Sequence, residues 1–195
     1  MDLCGHATLA TAHCLKTLLN YSGEKVMFKT HSGELTVTFQ KDLYCMDFPS
    51  RMPVPSDLPD VISRLFNIQP KEVLKSRDYV LIYEHEAEVK DIKIDRQTFD
   101  LINLDPGGVI VTARGDTCDF VSRFFTPQAS IPEDPVTGSA HCSLVPLWAT
   151  RLKKKELHAR QISARGGELF CEDNGDRVII AGKARTYAAG HIWVE

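Results

Sequence analysis

Two short segments of this chain carry side chains of the kinds that move protons. Cys4, Gly5 and His6 open one apolar run, and Asp134, Thr137, Gly138 and Ser139 open another. Together they supply a thiol, an imidazole, a carboxylate and a hydroxyl, which suffices for proton transfer with no cofactor and no metal. Each glycine stands where a helix should begin. A helix start presents unpaired N–H groups and the positive end of its dipole, which can bind a carboxylate or stabilise an enolate-like oxyanion. Glycine there leaves the approach clear of a Cβ. Two such ends facing each other across a pseudo-twofold axis would form one anion-binding cleft lined by Cys4, His6, Asp134 and Ser139. Each residue also has a plainer use. Ser139 or Thr137 suits an N-cap, Asp134 suits the turn before Pro135, and Cys4 suits a small buried apolar group.

Other candidate motifs point less far. His13-Cys14 and His141-Cys142 are adjacent pairs without metal-ligand spacing, and His141 reads as a packed or capping histidine rather than a partner of Ser139. Pro106-Gly107-Gly108 fits neither the dinucleotide-binding nor the P-loop pattern. Arg151 and Lys153-Lys154-Lys155 form a basic run that a helix C-terminus and solvation explain without nucleic acid. His85 lies in an exposed-looking acidic stretch with Glu84, Glu86 and Glu88.

The elements that must position the site come in two related sets. Gly5 and Gly138 are 133 residues apart, and the triplets Gly33-Glu34-Leu35 and Gly167-Glu168-Leu169 are 134 apart, which points to an internal repeat. The runs to Leu19 and to Leu152 are nearly uncharged and rich in small residues, so both helices are expected to be buried all round. Pro146 should kink the second. Strands are expected over Val26–Thr30 and Leu35–Phe39 around a His31-Ser32-Gly33 turn, and over Val109–Ala113 and Phe120–Phe125 around Arg114-Gly115-Asp116. Further strands are expected over Tyr79–Tyr83, Ala159–Ser163, Leu169–Glu172 and Arg177–Ile180, with Asn174-Gly175 as a turn. An amphipathic helix is expected over Pro59–Asn67, a shorter one near Arg96–Leu101, and an irregular proline-rich crossing over Pro49–Pro59.

The fold class is therefore α+β, with two pseudo-symmetric halves, each a curved, barrel-like mixed sheet around a central helix. Residues 1–50, to which a C-terminal segment could cross over, form an incomplete first half, 51–108 a connecting region, and 109–195 the second half. The second copy has about 30 residues of strand and turn before its glycine, whereas the first begins close to Gly5. The first half is thus expected to lack its opening hairpin, as a truncated form or one completed by another polypeptide. A net charge of -3, with 43% hydrophobic and 25% charged residues, describes a globular chain with no net attraction for nucleic acid. The six dispersed cysteines, without a CxxC pair, indicate free thiols. The chain shows no signal peptide and no run long enough to span a membrane, so cytoplasm is the expected location.

Asp2 to Ala10 and Glu133 to His141 resemble the two signature segments of the phenazine-biosynthesis-like (PhzF) isomerase family, relatives of diaminopimelate epimerase. Asp119 to Pro127 and the ending from Gly182 to Ile192 are similar to that family too. The resemblance implies two similarly folded halves with the active site between them, and cofactor-free isomerisation by moving a proton on a small carboxylated, amine-bearing ring. It carries the family's histidine onto His6, its aspartate onto Asp134 and its serine onto Ser139, where they orient substrate and assist proton transfer. Gly5 and Gly138 match the glycines at the helix starts, and Cys4 and Thr137 stand beside them in the substrate- or anion-binding set.

One departure weighs on this. The family's principal acid/base is a glutamate in an Asn-Leu-Ser-Glu-Thr type segment, and no such segment occurs in this sequence. Loss of such a base costs about 10²- to 10⁴-fold. Cys4 corresponds to one of the two cysteines of the epimerase relatives, but Thr137 takes the other's place, which disfavours two-base racemisation. Two readings follow. One is a cofactor-independent isomerase acting on a small amine- or carboxylate-bearing metabolite. The other is a catalytically inactive family member that associates as a homodimer or with a protein partner.

Overall fold

The computed structural model describes residues 3–30, 33–104, 107–191 and 193 of the 195. Its elements in chain order are helix α1 (Gly5–Thr17), strands β1 (Lys25–Thr30), β2 (Gly33–Gln40), β3 (Leu43–Pro49) and β4 (Val54–Pro55), and helix α2 (Asp60–Ser63). Strands β5 (Glu72–Lys75) and β6 (Tyr79–Ile82) follow, then helices α3 (Glu86–Asp91) and α4 (Arg96–Phe99). The rest is β7 (Val109–Arg114), β8 (Phe120–Phe125), β9 (Glu133–Asp134), α5 (Gly138–Leu152), β10 (Glu156–Gln161), β11 (Gly167–Asp173) and β12 (Arg177–Gly182).

The protein is α+β, built on one large mixed sheet. Its strands run in the order β1-β2-β3-β12-β11-β10-β8-β7-β6-β5-β4, with β9 paired to β8 off that path. The pairs β6–β7 and β8–β10 are parallel, and the others are antiparallel. The pairing of β3 with β12 ties the strands that follow α1 to those that follow α5.

The composition of β7 and β8 follows from what covers them. Ile110, Phe120 and Phe124 face a core with Leu144, Val145 and Trp148 of α5. Val109, Val111, Val121 and Phe125 face a second core with Ile62 of α2, Val89 of α3 and Phe99 of α4. A strand covered on both faces has no reason to alternate with polar residues, hence the continuous Val109-Ile110-Val111 run. In β7 the polar exception, Thr112, donates to the Val121 carbonyl at 2.6 Å and accepts from the Trp148 indole at 3.0 Å. The Thr112 hydroxyl is thus satisfied both as donor and as acceptor.

The two long helices differ. Every residue of α5 from 139 to 149 is buried, as its uncharged sequence requires. Pro146 does not end the helix. The Cys142 carbonyl, deprived of its usual donor by the proline, accepts the Arg51 backbone N–H at 2.9 Å instead. In α1 only Gly5 and Ala12 are buried, so the expectation of all-round burial fails there. One side of α1 lies on the strands, and Ala7, Ala10, Thr11, Cys14 and Thr17 face outward. Small side chains fit close packing but do not compel it.

Other boundaries move as well. The helix expected over Pro59–Asn67 is regular only at Asp60–Ser63 and continues as turns that still bury Leu65 and Phe66. The strand expected from Ala159 lies earlier, at Glu156–Gln161. The acidic stretch around His85 is the start of α3, where Glu88 accepts the His85 backbone N–H at 2.8 Å and so caps the helix. The basic run after α5 is engaged locally: Lys153 takes the left-handed cap conformation, Lys154 pairs with Asp119, and Lys155 pairs with Glu172 at 2.9 Å. Gly175 has φ +81°, which the Asn174-Gly175 turn demands. His31 and Ser32 of the expected hairpin turn, Pro106 of the glycine-rich tripeptide, and Asp2 and Ile192 of the resembling segments lie outside the described residues.

Candidate active site at two facing helix starts

The starts of α1 and α5 touch. A methyl placed on Gly5 would stand 3.1 Å from the Cα of Gly138, and one placed on Gly138 would stand 3.2 Å from the Cα of Gly5. The Phe48 ring lies beneath both, 3.8 and 3.7 Å from those methyl positions. Glycine at each position is required by this approach of backbone to backbone, not by an unusual φ.

Neither helix start is capped in the ordinary way. The N-cap residues are Cys4 and Thr137, neither makes a side-chain cap bond, and neither first turn contains an acidic residue. The Thr137 hydroxyl instead donates to Oδ2 of Asp134 at 2.7 Å. Thr137 thus occupies an N-cap position without serving as a side-chain cap, which leaves the positive end of each helix to whatever enters the cleft.

Asp134 is fixed by its surroundings. It lies on β9, opposite Phe124 of β8. Arg123 holds the neighbouring Glu133 at 2.7 Å while donating to the carbonyls of Val89 and Ile92 at 3.1 and 2.9 Å. Gln161, buried at the end of β10, donates to the Asp134 carbonyl at 2.6 Å and accepts the Thr137 backbone N–H at 2.8 Å. One side chain therefore clamps both ends of the segment that carries Asp134 into α5.

His6 is exposed at the mouth of the cleft, with Nε2 3.6 Å from the Cys4 sulfur. Ser139 is almost fully buried and accepts a hydrogen bond from Arg77 at 3.1 Å. Arg77 also grips the adjacent Asp78 through Nε and a terminal nitrogen at 3.1 and 2.7 Å, and Asp78 accepts the Gly108 N–H at 2.9 Å. Burial pushes the Asp78 carboxyl above the usual carboxylate range, with the Arg77 guanidinium and the Gly108 N–H opposing that shift. His141 faces away from this group. Its Nδ1 bonds the Thr137 carbonyl at 2.8 Å, and complete burial lowers its pKa to about 4, so the ring is neutral and structural.

The cleft has two lobes that share Gly5, His6, Ile131, Asp134, Pro135 and Gly138. The smaller, about 450 Å³, adds Cys4, Arg77, Thr137 and Ser139 and is the polar end. The larger, about 670 Å³, adds Leu9, Met46, Leu169, Phe170 and Ile180, with Arg165, Glu168 and Lys183 also in its lining. All seven residues expected at the site line the smaller lobe: Cys4, Gly5, His6, Asp134, Thr137, Gly138 and Ser139.

The sequence matches the phenazine biosynthesis-like family over residues 1–190. The chain belongs to that family. Two Pseudomonas aeruginosa proteins named as uncharacterized isomerases are 46% and 47% identical to it; the matches cover 97% of this chain and 73% and 72% of theirs. A human phenazine biosynthesis-like domain-containing protein is 34% identical over 97% of this chain and 73% of its own. Among solved structures, an Enterococcus faecalis phenazine biosynthesis protein of the PhzF family superposes with a TM-score of 0.92 at 41% identity, covering all of this chain and 74% of that one. A probable proline racemase from Agrobacterium radiobacter shares the fold, at a TM-score of 0.57 and 13% identity, with 98% of this chain and 68% of that one covered.

Arg77 and Gln161 are the site residues that sequence reasoning missed. Arg77 sits between β5 and β6 among charged neighbours, and Gln161 ends a strand. Neither belongs to a motif, and only the pairing of distant strands brings them to the cleft.

Proposed function

We propose that this chain is a cofactor-independent isomerase that moves a proton within a small amine- or carboxylate-bearing metabolite held where α1 and α5 meet. The observation that carries this reading is the contact of Gly5 with Gly138, which aims two uncapped helix starts into one cavity. Relatives named as isomerases support the reaction class.

In this reading the helix ends hold the substrate's negative charge and any enolate-like charge that develops. The apolar larger lobe takes the ring, Asp134 and Ser139 orient the polar substituents, and His6 at the mouth assists proton transfer. A C–H bond breaks at one carbon and its proton passes to the His6 imidazole while the electron pair delocalises toward the bound anionic group; the same imidazole then returns a proton as a C–H bond forms at another carbon of the same molecule. Substrate and product have the same composition, so no oxidant or reductant enters.

Deuterium incorporation from heavy water into a panel of small amino-carboxylate ring compounds tests this. Exchange above background that falls on substitution of Asp134 or His6 is the expected result. Absence of exchange across the panel would remove the catalytic reading for those compounds.

The outward face of α1 favours a second reading, association through that face. Leu18 and Leu19, just beyond the helix, are 48% and 70% exposed, and Met27 on β1 is 55% exposed. Apolar surface of this kind is where a second copy of the chain would pack.

A further inference from the structure

Ser139 is held by a group outside both signature segments. Arg77 donates to its Oγ at 3.1 Å, and Arg77 is itself set by Asp78, which is 1% exposed and anchored on the Gly108 N–H. A serine hydroxyl has one proton to give and two lone pairs. With one lone pair taken by the guanidinium, the proton must point elsewhere, and no group among the described residues accepts it. Ser139 and Arg77 both line the 450 Å³ lobe, so that lobe is the place left for the acceptor. A hydroxyl that accepts from a cation is also a stronger donor, because its oxygen is polarised.

We propose that Arg77 is a positioning residue that turns the Ser139 hydroxyl into a fixed donor toward the smaller lobe, and that the lobe thereby selects an anionic oxygen, such as a carboxylate, over a neutral amide. A neutral amide presents its N–H₂ as readily as its oxygen, and it gains little from a cation-polarised donor or from two helix starts. A carboxylate gains from all three. The proposal deepens the reading of the cleft as a small-molecule site and rests on it for the ligand. The Arg77–Ser139 relation can be tested without any ligand.

Two measurements decide it. In the first, Ser139→Cys places a titratable atom at the Oγ position, and its pKa is read from the pH dependence of alkylation, resolved by peptide mass spectrometry. Donation from Arg77 stabilises the thiolate. Combining Ser139→Cys with Arg77→Met and Asp78→Asn removes both members of this ion pair together, so neither is left facing the loss of the other. The thiol pKa should then rise by about one unit. In a Ser139→Cys chain carrying Arg77→Lys, most of the lowered value should remain, which a purely structural role would not require. An unchanged thiol pKa on removal of the pair overturns the proposal, whatever binds.

In the second, benzoate and benzamide are titrated against the wild-type chain and against Arg77→Met/Asp78→Asn, with circular dichroism confirming the fold. Benzoate binding should weaken by about tenfold and benzamide binding should stay the same. Equal losses for the two compounds would overturn the selectivity. If the wild-type chain bound neither compound while the thiol pKa still moved, the ligand class in the proposed function would fall and the Arg77–Ser139 relation would stand.

Discussion

The Thr137 hydroxyl gives its proton to Oδ2 of Asp134 across 2.7 Å and accepts from Nε2 of Gln161 at 3.2 Å, and it makes no side-chain cap bond to the start of α5. A residue at an N-cap usually satisfies the helix behind it. Here it steadies a carboxylate in front of the helix, and the helix dipole is left to the cleft.

That pairing separates two substitutions. Asp134→Asn should lower substrate-dependent deuterium exchange by about 10²- to 10⁴-fold, within the range of a lost proton-transfer or orienting group. Thr137→Val keeps the carboxylate but frees its rotation, and should cost less. Exchange rates of the two variants on one compound check the order, and an equal or reversed order would contradict the assigned roles.

The Gly5–Gly138 contact predicts a matched pair of stability losses. Gly5→Ala and Gly138→Ala each force a methyl to 3.1–3.2 Å from facing backbone, which cannot swing aside as a side chain can. Each should destabilise by about 1–3 kcal/mol in a denaturant titration. Gly182→Ala is the control, since its methyl would meet only Leu9 at an ordinary 3.7 Å.

His141 gives the fold a defined response to acid. Its folded-state pKa of about 4 lies below the usual 6.5, because burial disfavours the charged ring. Between those values the unfolded chain binds a proton that the folded chain does not. Its contribution is therefore complete above about pH 6.5 and falls as pH drops toward 4, by roughly 3 kcal/mol in all. Urea unfolding of the wild type and of His141→Leu should show the gap between them narrowing from pH 7 to pH 4. A constant gap would mean that the ring takes up its proton alike in the folded and the unfolded chain, and would contradict its neutral burial.

Much of this architecture was legible from local pattern. The unbroken apolar run at the start of β7, the turn at Gly175 and the uncharged stretch 139–149 of α5 all announce themselves, because each reflects its own residues' burial or backbone demand. The meeting of Gly5 and Gly138 was legible because the two segments share a pattern at a fixed offset. Strand β3 was hidden by Asp47 and Pro49, whose polarity and shape blur its alternation. The exposure of α1 was hidden because a helix of small, uncharged residues reads the same whether or not something covers it. Arg77 was hidden most completely. Beside Lys75 and Asp78 it looks like part of a solvated charge cluster, and only the parallel pairing of β6 with β7 and the packing of α5 carry it to Ser139.

The exposed α1 face has its own test. Sedimentation velocity should show the chain associating with itself as concentration rises, and Ala10→Glu, on the outward face, should return it to monomer. A monomer at every concentration would count against association through α1.

The central claim is that the two helix starts make one anion site. The direct measurement is an NMR titration with benzoate that follows the backbone amides of Gly5 and Gly138 together. Both resonances should move and saturate with a single common dissociation constant, and benzamide should move neither to the same extent. Movement of one amide without the other, or two different constants, would show that the helix ends serve separate sites.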